Sequence, residues 1–190
     1  MNKIKLLILL IVTINFNCKQ NNINCEIATS EGIITVELYP DKAPITVKNF
    51  LQYVDNGLYT NSSFFRVCTN ENEAERNIKI EVIQGGNVNE NKSFSPIKIE
   101  TTLQTGIKHL NGVISMARDT PNSATSEFFI CINDQPELDY QGKRNPDGKG
   151  FAAFGKVIKG MNVVLKIQAK KDEEQYLINP VVINSIKRIY

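Results

Sequence analysis

Side chains able to do covalent chemistry are sparse in this chain. A single histidine, His109, lies in Lys108-His109-Leu110-Asn111-Gly112, and four cysteines (Cys18, Cys25, Cys68, Cys131) are scattered without a Cys-x-x-Cys spacing. That scatter offers neither the ligand set of a zinc site nor a disulfide framework, so no metal is expected. Cys25, Cys68 and Cys131 are expected as free thiols. His109 reads as a structural turn residue, because a hydrolase built on it would need a matching nucleophile signature and none is present. Gln84-Gly85-Gly86 is no phosphate loop, since no Lys-Ser/Thr follows; alone it signals a bend or a close backbone approach. Arg66 comes after two phenylalanines and, taken alone, would be an exposed strand arginine. A guanidinium is always charged, only donates, and presents its N–H groups in a planar fork.

Four blocks give these residues a context: Phe65-Arg66-Val67, Gln84-Gly85-Gly86, Ser126-Glu127-Phe128-Phe129-Ile130 and Phe154-Gly155-Lys156-Val157. Gly112-Val113-Ile114-Ser115-Met116-Ala117 and Pro121-Asn122-Ser123 fall between them. In that order the blocks resemble the cyclophilin family of peptidyl-prolyl isomerases, over roughly Ile33 to Tyr190. The resemblance implies catalysis of rotation about X–Pro bonds. Such rotation must break amide resonance, a barrier of roughly 18–20 kcal/mol, and unaided it takes about tens to hundreds of seconds. A catalyst has only to favour the twisted bond, whose pyramidal nitrogen can accept a hydrogen bond.

Carried over residue by residue, the resemblance makes Arg66 the catalytic arginine and Gln84 the side chain that braces it. Phe129, Val82 and Leu138 match the apolar proline pocket, and Ala117 and Arg118 match the pair whose backbone meets the residue before proline. Phe65 and Glu127, beside the arginine, and Phe151, near the family's turn histidine, complete the expected substrate-binding set. No cofactor is implied. Four departures stand out. Glu127 replaces the usual glutamine, and an adjacent arginine would depress its pKa. Glu81 stands where an aromatic pocket wall is usual. Glu137 stands where the family carries the tryptophan associated with cyclosporin binding. Asp147-Gly148-Lys149-Gly150-Phe151 puts Gly150 or Phe151 where the histidine belongs. These departures leave open an alternative, a proline-peptide-binding chaperone or assembly module with weak or no catalysis.

The positioning elements follow from periodicity. Gly32 to Tyr39 alternates, with Ile34, Val36 and Leu38 on one face, as a half-buried strand does. Pro44 opens a helix in which Val47, Phe50, Leu51 and Val54 form one apolar stripe, and Asn56-Gly57 stops it. Short β-rich runs follow at 63–68, 79–84, 113–118, 127–132, 152–158 and 181–189, with a second helix around Met161 to Gln168. Many short strands divided by Gly, Pro and Asn suggest a barrel or a sandwich. The resemblance selects a mostly β fold with two helices, a closed eight-stranded antiparallel barrel capped at its ends. Its interior would be filled by side chains, leaving any site on the outer surface. Asn70 to Asn77 and Tyr140 to Gly150 lengthen two loops and read as solvated insertions.

Composition sets the remaining bounds. With 190 residues, 42% hydrophobic and 22% charged, the chain is an ordinary globular protein with a net charge of only +2, which argues for no nucleic-acid partner. Lys3 and Lys5 precede an apolar run from Leu6 to Val12, the pattern of a signal peptide and too short for a membrane span. Cys18 follows where bacterial lipoproteins carry their lipidated cysteine, and Lys19-Gln20-Asn21-Asn22 reads as a tether, although Asn15-Phe16-Asn17 is a poor cleavage box. Residues 1–23 are thus expected as a leader and tether, and 24–190 as the isomerase domain. The expected protein is exported, anchored by lipid in the cell envelope, monomeric, and acts on proline-containing polypeptides.

Overall fold

The computed structural model describes residues 21–190. Cys18 and the leader segment up to residue 20 lie outside the described residues. Strands β1 (Ile23–Thr29) and β2 (Gly32–Leu38) form an antiparallel hairpin in which Ile27 faces Ile34 and Cys25 faces Val36. The barrel continues through β3 (Ser62–Cys68), β4 (Val82–Gly85), β5 (Val113–Met116), β6 (Phe128–Cys131), β7 (Ala152–Lys159) and β9 (Tyr176–Ile189). Their order is β1-β2-β7-β5-β6-β4-β3-β9, and β9 pairs back onto β1, closing eight antiparallel strands. The two-residue strand β8 (Asp172–Glu173) pairs only with the start of β9.

Closure removes the exposed edges that an open sheet would leave. The expected eight-stranded barrel is therefore present, its eighth strand being β1, which was not among the runs read from the sequence. Its alternation (Cys25, Ile27 and Thr29 inward) is readable in the sequence but adjoins the polar tether, which masked it.

Helix α1 (Pro44–Asp55) buries Val47, Phe50, Leu51 and Val54, the stripe expected from spacing, against β7 and β9. Its own N-cap residue, Ala43, offers no side chain to the free N–H groups. The Glu100 carboxylate does so instead, accepting from the Ile45 and Thr46 amides at 3.1 and 2.7 Å. Helix α3 (Met161–Gln168) packs Val163, Val164 and Ile167 inward against β2, β3 and β4. A third helix, α2 (Thr102–Thr105), was not expected. It is one turn long, too short to show periodicity, and rests on a Thr101/Gln104 capping box.

The interior is filled by side chains: Phe50, Phe64, Phe128 and Phe154 meet around the centre, with Phe128 edge-on to Phe50 at 5.5 Å and to Phe64 at 5.7 Å. Strand alternation then sends every second residue outward. Phe128 and Ile130 point in while Phe129 and Cys131 point out; Ile83 points in while Val82 points out.

In β3 the alternation is broken by a bulge. Phe64 pairs with Gly85 and Arg66 with Gln84, so Phe65 is an extra residue between consecutive pairs. Phe64 and Val67 therefore both face the core, and Arg66 faces outward beside Gln84. Without that bulge the arginine would point into the barrel.

Candidate functional site

The outward residues of β4 and β6 floor a surface cavity of about 430 Å³. Ile80, Val82, Phe129, Leu138, Phe151 and Ala117 supply its apolar side, and Arg66, Gln84, Arg118 and Glu127 its polar side. Phe129, Val82 and Leu138 are buried together with Cys68 and Cys131 in a small cluster outside the barrel core. Gly85 and Gly86 bring the β4 backbone against the core rings of Phe64 and Phe128, behind this floor. A Cβ at Gly86 would sit 2.8 Å from the Phe128 ring, and its φ of +86° is a conformation that favours glycine. The close backbone approach anticipated for Gln-Gly-Gly is thus real, and it sets the depth of the strand beneath Gln84.

Arg66 is held from two sides. Its Nη1 donates to Gln84 Oε1 at 2.8 Å, and its Nε and Nη2 both donate to Gln175 Oε1 at 3.0 and 2.5 Å. A guanidinium has five N–H groups, so one on each terminal nitrogen is left for a ligand. Two neutral oxygens fix the fork without cancelling its charge, which suits donation to a nitrogen lone pair.

Glu127 does not pair with Arg66 as expected. Its Oε2 accepts from Gln84 Nε2 at 2.7 Å, one amide removed from the guanidinium. The pKa expectation is reversed with it. Burial raises the carboxyl above its ordinary value; the Gln84 hydrogen bond and the more distant Arg66 charge pull the other way without overcoming it, and Asp119 adds to the rise. The cause is that Glu127 is half-buried and its neutral partner compensates little of the lost hydration.

The other departures also resolve. Glu81 points away from the cavity, bonding Asn133 Nδ2 at 2.8 Å. The wall that it was expected to replace is Ile80, which shares a face with Val82 and Gln84 by strand alternation, and that period of two could have identified it. Glu137 turns to the inserted loop, where its carboxylate accepts the Lys143 amide at 2.7 Å. Phe65 is outside the cavity: as the bulged residue it lies in the adjoining groove, its ring stacked on Tyr176 at 6.4 Å.

Arg118 does more than present backbone. Its side chain is pinned by Asp147 through paired bonds of 2.8 and 2.9 Å and by the Gly150 carbonyl at 2.6 and 2.8 Å. It lies over the Phe151 ring at 5.2 Å, and that ring meets Phe129 edge-on at 5.2 Å. Phe151 thus lies between a cation and the pocket floor. Asp147 is held below the usual carboxylate range mainly by the Arg118 hydrogen bonds. The Ala117 N–H is used by the Glu127 carbonyl at 2.9 Å, leaving its carbonyl to a ligand.

His109 is not a loose turn residue. It is buried behind Phe129 and stacked on it at 6.0 Å, with Nδ1 2.8 Å from Asp139 Oδ1 and Nε2 3.0 Å from Ser115 Oγ. Ser115 is fully buried, so this Ser-His-Asp row meets no substrate and supports the pocket floor instead. Burial lowers the His109 pKa, although the Asp139 hydrogen bond opposes the shift. The neutral ring then donates from Nδ1 and accepts the Ser115 hydroxyl at Nε2.

The three described cysteines are buried free thiols. Burial raises Cys25 to about 12 and Cys68 to about 11, so neither is a nucleophile near neutrality.

The chain and its barrel have clear relatives. The sequence profile of the family described as "Cyclophilin type peptidyl-prolyl cis-trans isomerase/CLD" matches residues 24–188. A peptidyl-prolyl cis-trans isomerase of Acinetobacter baylyi is 41% identical over 151 residues, covering 77% of this chain and 72% of the relative. Peptidyl-prolyl cis-trans isomerase B of Escherichia coli is 38% identical over 145 residues, 74% of this chain and 80% of that one. A crystal structure of a Cryptosporidium parvum cyclophilin-type isomerase superposes with a TM-score of 0.71 at 25% identity, covering 89% of this chain and 98% of that chain. The chain belongs to the cyclophilin-type peptidyl-prolyl cis-trans isomerases.

Proposed function

We propose that this enzyme turns X–Pro bonds at the Arg66 cavity, with the proline ring on Phe129, Val82 and Leu138 and the two remaining N–H groups of Arg66 directed at the twisted amide. The observation that carries this reading is the double bracing of Arg66 by Gln84 and Gln175 beside an apolar cavity. The barrier falls because the fixed donors favour the pyramidal nitrogen over either planar form, and the floor excludes water from the same side. Gln84, with its oxygen committed to Arg66, contacts substrate backbone at the cavity edge. Exchange spectroscopy on an Ala-Pro-containing peptide tests the assignment. Cis and trans signals should interconvert on a timescale of milliseconds to seconds in the presence of the enzyme, and binding without exchange would mark the chain as a proline-peptide holder.

The setting of the activity follows from the N-terminal residues. Lys3, Lys5 and the run from Leu6 to Val12 direct export, and Cys18 carries lipid, so that the domain works on exported polypeptides at the envelope. Intact mass of membrane-extracted protein from a bacterial host, set beside a Cys18→Ser variant, tests this. Acyl chains on the first and not the second are expected; a mature mass without acyl chains on either overturns the anchor.

A further inference from the structure

Arg66 stands between two glutamines, and each glutamine is backed by a carboxylate. On one side Gln84 Nε2 donates to Glu127 at 2.7 Å. On the other side Gln175 Nε2 donates to Glu73 Oε1 at 3.2 Å. A carboxylate can only accept, so it draws the amide nitrogen towards itself and leaves the amide oxygen facing the guanidinium. The second arm has no counterpart among the residues singled out by sequence. We infer that Gln175 is a positioning residue for Arg66, oriented by the buried Glu73–Arg144 pair that joins the two inserted loops.

Four observations support this arm. Glu73 is buried, and Arg144 grips both of its oxygens, at 2.5 and 2.9 Å, while also donating to the Ile78 carbonyl at 2.6 Å. Glu73 further accepts the Ile80 amide at 2.8 Å, fixing the start of the pocket wall. Such a pair is not the solvated surface contact expected of two charged loops. Next, Gln175 supplies two of the three hydrogen bonds that Arg66 makes. Third, Glu174 and Gln175 form the two-residue turn between β8 and β9 with φ of +49° and +76°, the sign pattern of a tight hairpin turn that prefers Asn-Gly. A glutamine there costs backbone energy that glycine would not, and strain of this kind marks a side chain kept for its contacts. Finally, the turn is locked to the arginine's own strand, the Gln175 carbonyl accepting from the Val67 amide at 2.8 Å and Asp172 accepting the Gln175 amide at 3.0 Å.

The consequence is that loops 70–77 and 140–150 bear on the orientation of the guanidinium. This rests on the assignment of Arg66 as the catalytic donor, and the test separates the two. Gln175→Gly removes the side chain while relieving the turn, so its thermal stability should equal or exceed that of the parent. Its kcat should nevertheless fall roughly fivefold to tenfold, in keeping with lost hydrogen bonds to a charged group, with KM little changed. The Arg66 Nε–H, which donates to Gln175 in the parent, should give a protected resonance there that broadens or vanishes in the variant. Glu73→Gln should weaken that resonance in the same direction, because a glutamine no longer dictates the amide orientation. Unchanged kcat and an unchanged Nε–H signal in Gln175→Gly overturn the inference; loss only there, with Glu73→Gln silent in both readouts, overturns the part assigned to the ion pair. Arg66→Ala, run alongside, separates the levels: near-full activity would remove the Arg66 assignment itself, whereas a deep loss beside an unaffected Gln175→Gly removes only the positioning role.

Discussion

Glu127 is linked by hydrogen bonds to Arg66 through Gln84, whose Nε2 donates to the carboxylate at 2.7 Å while its Oε1 accepts from the guanidinium at 2.8 Å. The carboxylate's charge state therefore bears on how firmly the Gln84 amide is held. Ionised, it grips the NH₂ group and keeps the amide oxygen on the guanidinium. Protonated, it grips the NH₂ group less strongly, and the bracing of Arg66 loosens.

A pH effect follows. Burial raises the Glu127 pKa, so the acidic limb of kcat/KM should begin above the ordinary carboxylate value of about 4.3. Glu127→Gln should remain active and lose that limb. For stability the sign is the opposite of an ion-paired acid: a raised folded pKa favours the fold at low pH, and that contribution is lost as pH rises through the folded value. Glu127→Gln should thus melt no lower than the parent at pH 7. Superimposable activity profiles from acid to neutral pH would show that the relay does not reach the chemistry.

The Arg118–Asp147 clamp should govern affinity more than turnover. Asp147→Ala frees Arg118 from two bonds and loosens its cover on Phe151. KM should rise about twofold to fivefold with kcat held, the size of a partly exposed charged pair. Because Arg118 lowers the Asp147 pKa, the clamp is intact above the unfolded value of about 3.9 and opens only as pH falls through the lower folded value. A kcat loss without a change in KM would contradict this division.

His109 makes a second acid-sensitive contribution, to stability. Its folded pKa is depressed by burial, so its contribution is fully present above the unfolded value of about 6.5 and is lost as pH falls from there through the folded value. Thermal melts should decline over that window. His109→Asn, which cannot titrate, should be less stable at neutral pH but flatter across it; parallel curves would exclude the histidine as the cause.

Cyclosporin should bind weakly. Glu137 presents a charge where the resemblance leads one to expect tryptophan, and its carboxylate is already committed to the Lys143 amide, so a ligand covering it must desolvate or displace a used acceptor. Nanomolar inhibition would show that this position does not limit affinity.

Much of this was readable before any fold was in view. Helix α1 was legible because twelve residues carry a full apolar stripe between Pro44 and Asn56, and Phe129 was legible because it sits in a block whose neighbours are equally distinctive. The second arm of the arginine cradle was not. Gln175 lies 109 residues from Arg66, and Glu73 lies 71 residues from Arg144, in loops whose polar composition signals solvent. Pairing of β9 with β3 brings Gln175 to Arg66, and the two loops meet only in the folded chain. The bulge at Phe65 was equally silent, since an extra residue in a strand leaves no mark in an aromatic run. The Glu127 expectation failed for a related reason: adjacency to Arg66 could be anticipated, but not the glutamine between them.

Arg66→Ala measures the central claim most directly, read as the exchange rate of an X–Pro peptide with amide spectra confirming the fold. Removing the donor braced by Gln84 and Gln175 should reduce kcat/KM at least tenfold, about 1.4 kcal/mol or more of transition-state stabilisation, while peptide binding on the Phe129 floor persists. A folded Arg66→Ala protein that isomerises the peptide at close to the parent rate would contradict the account.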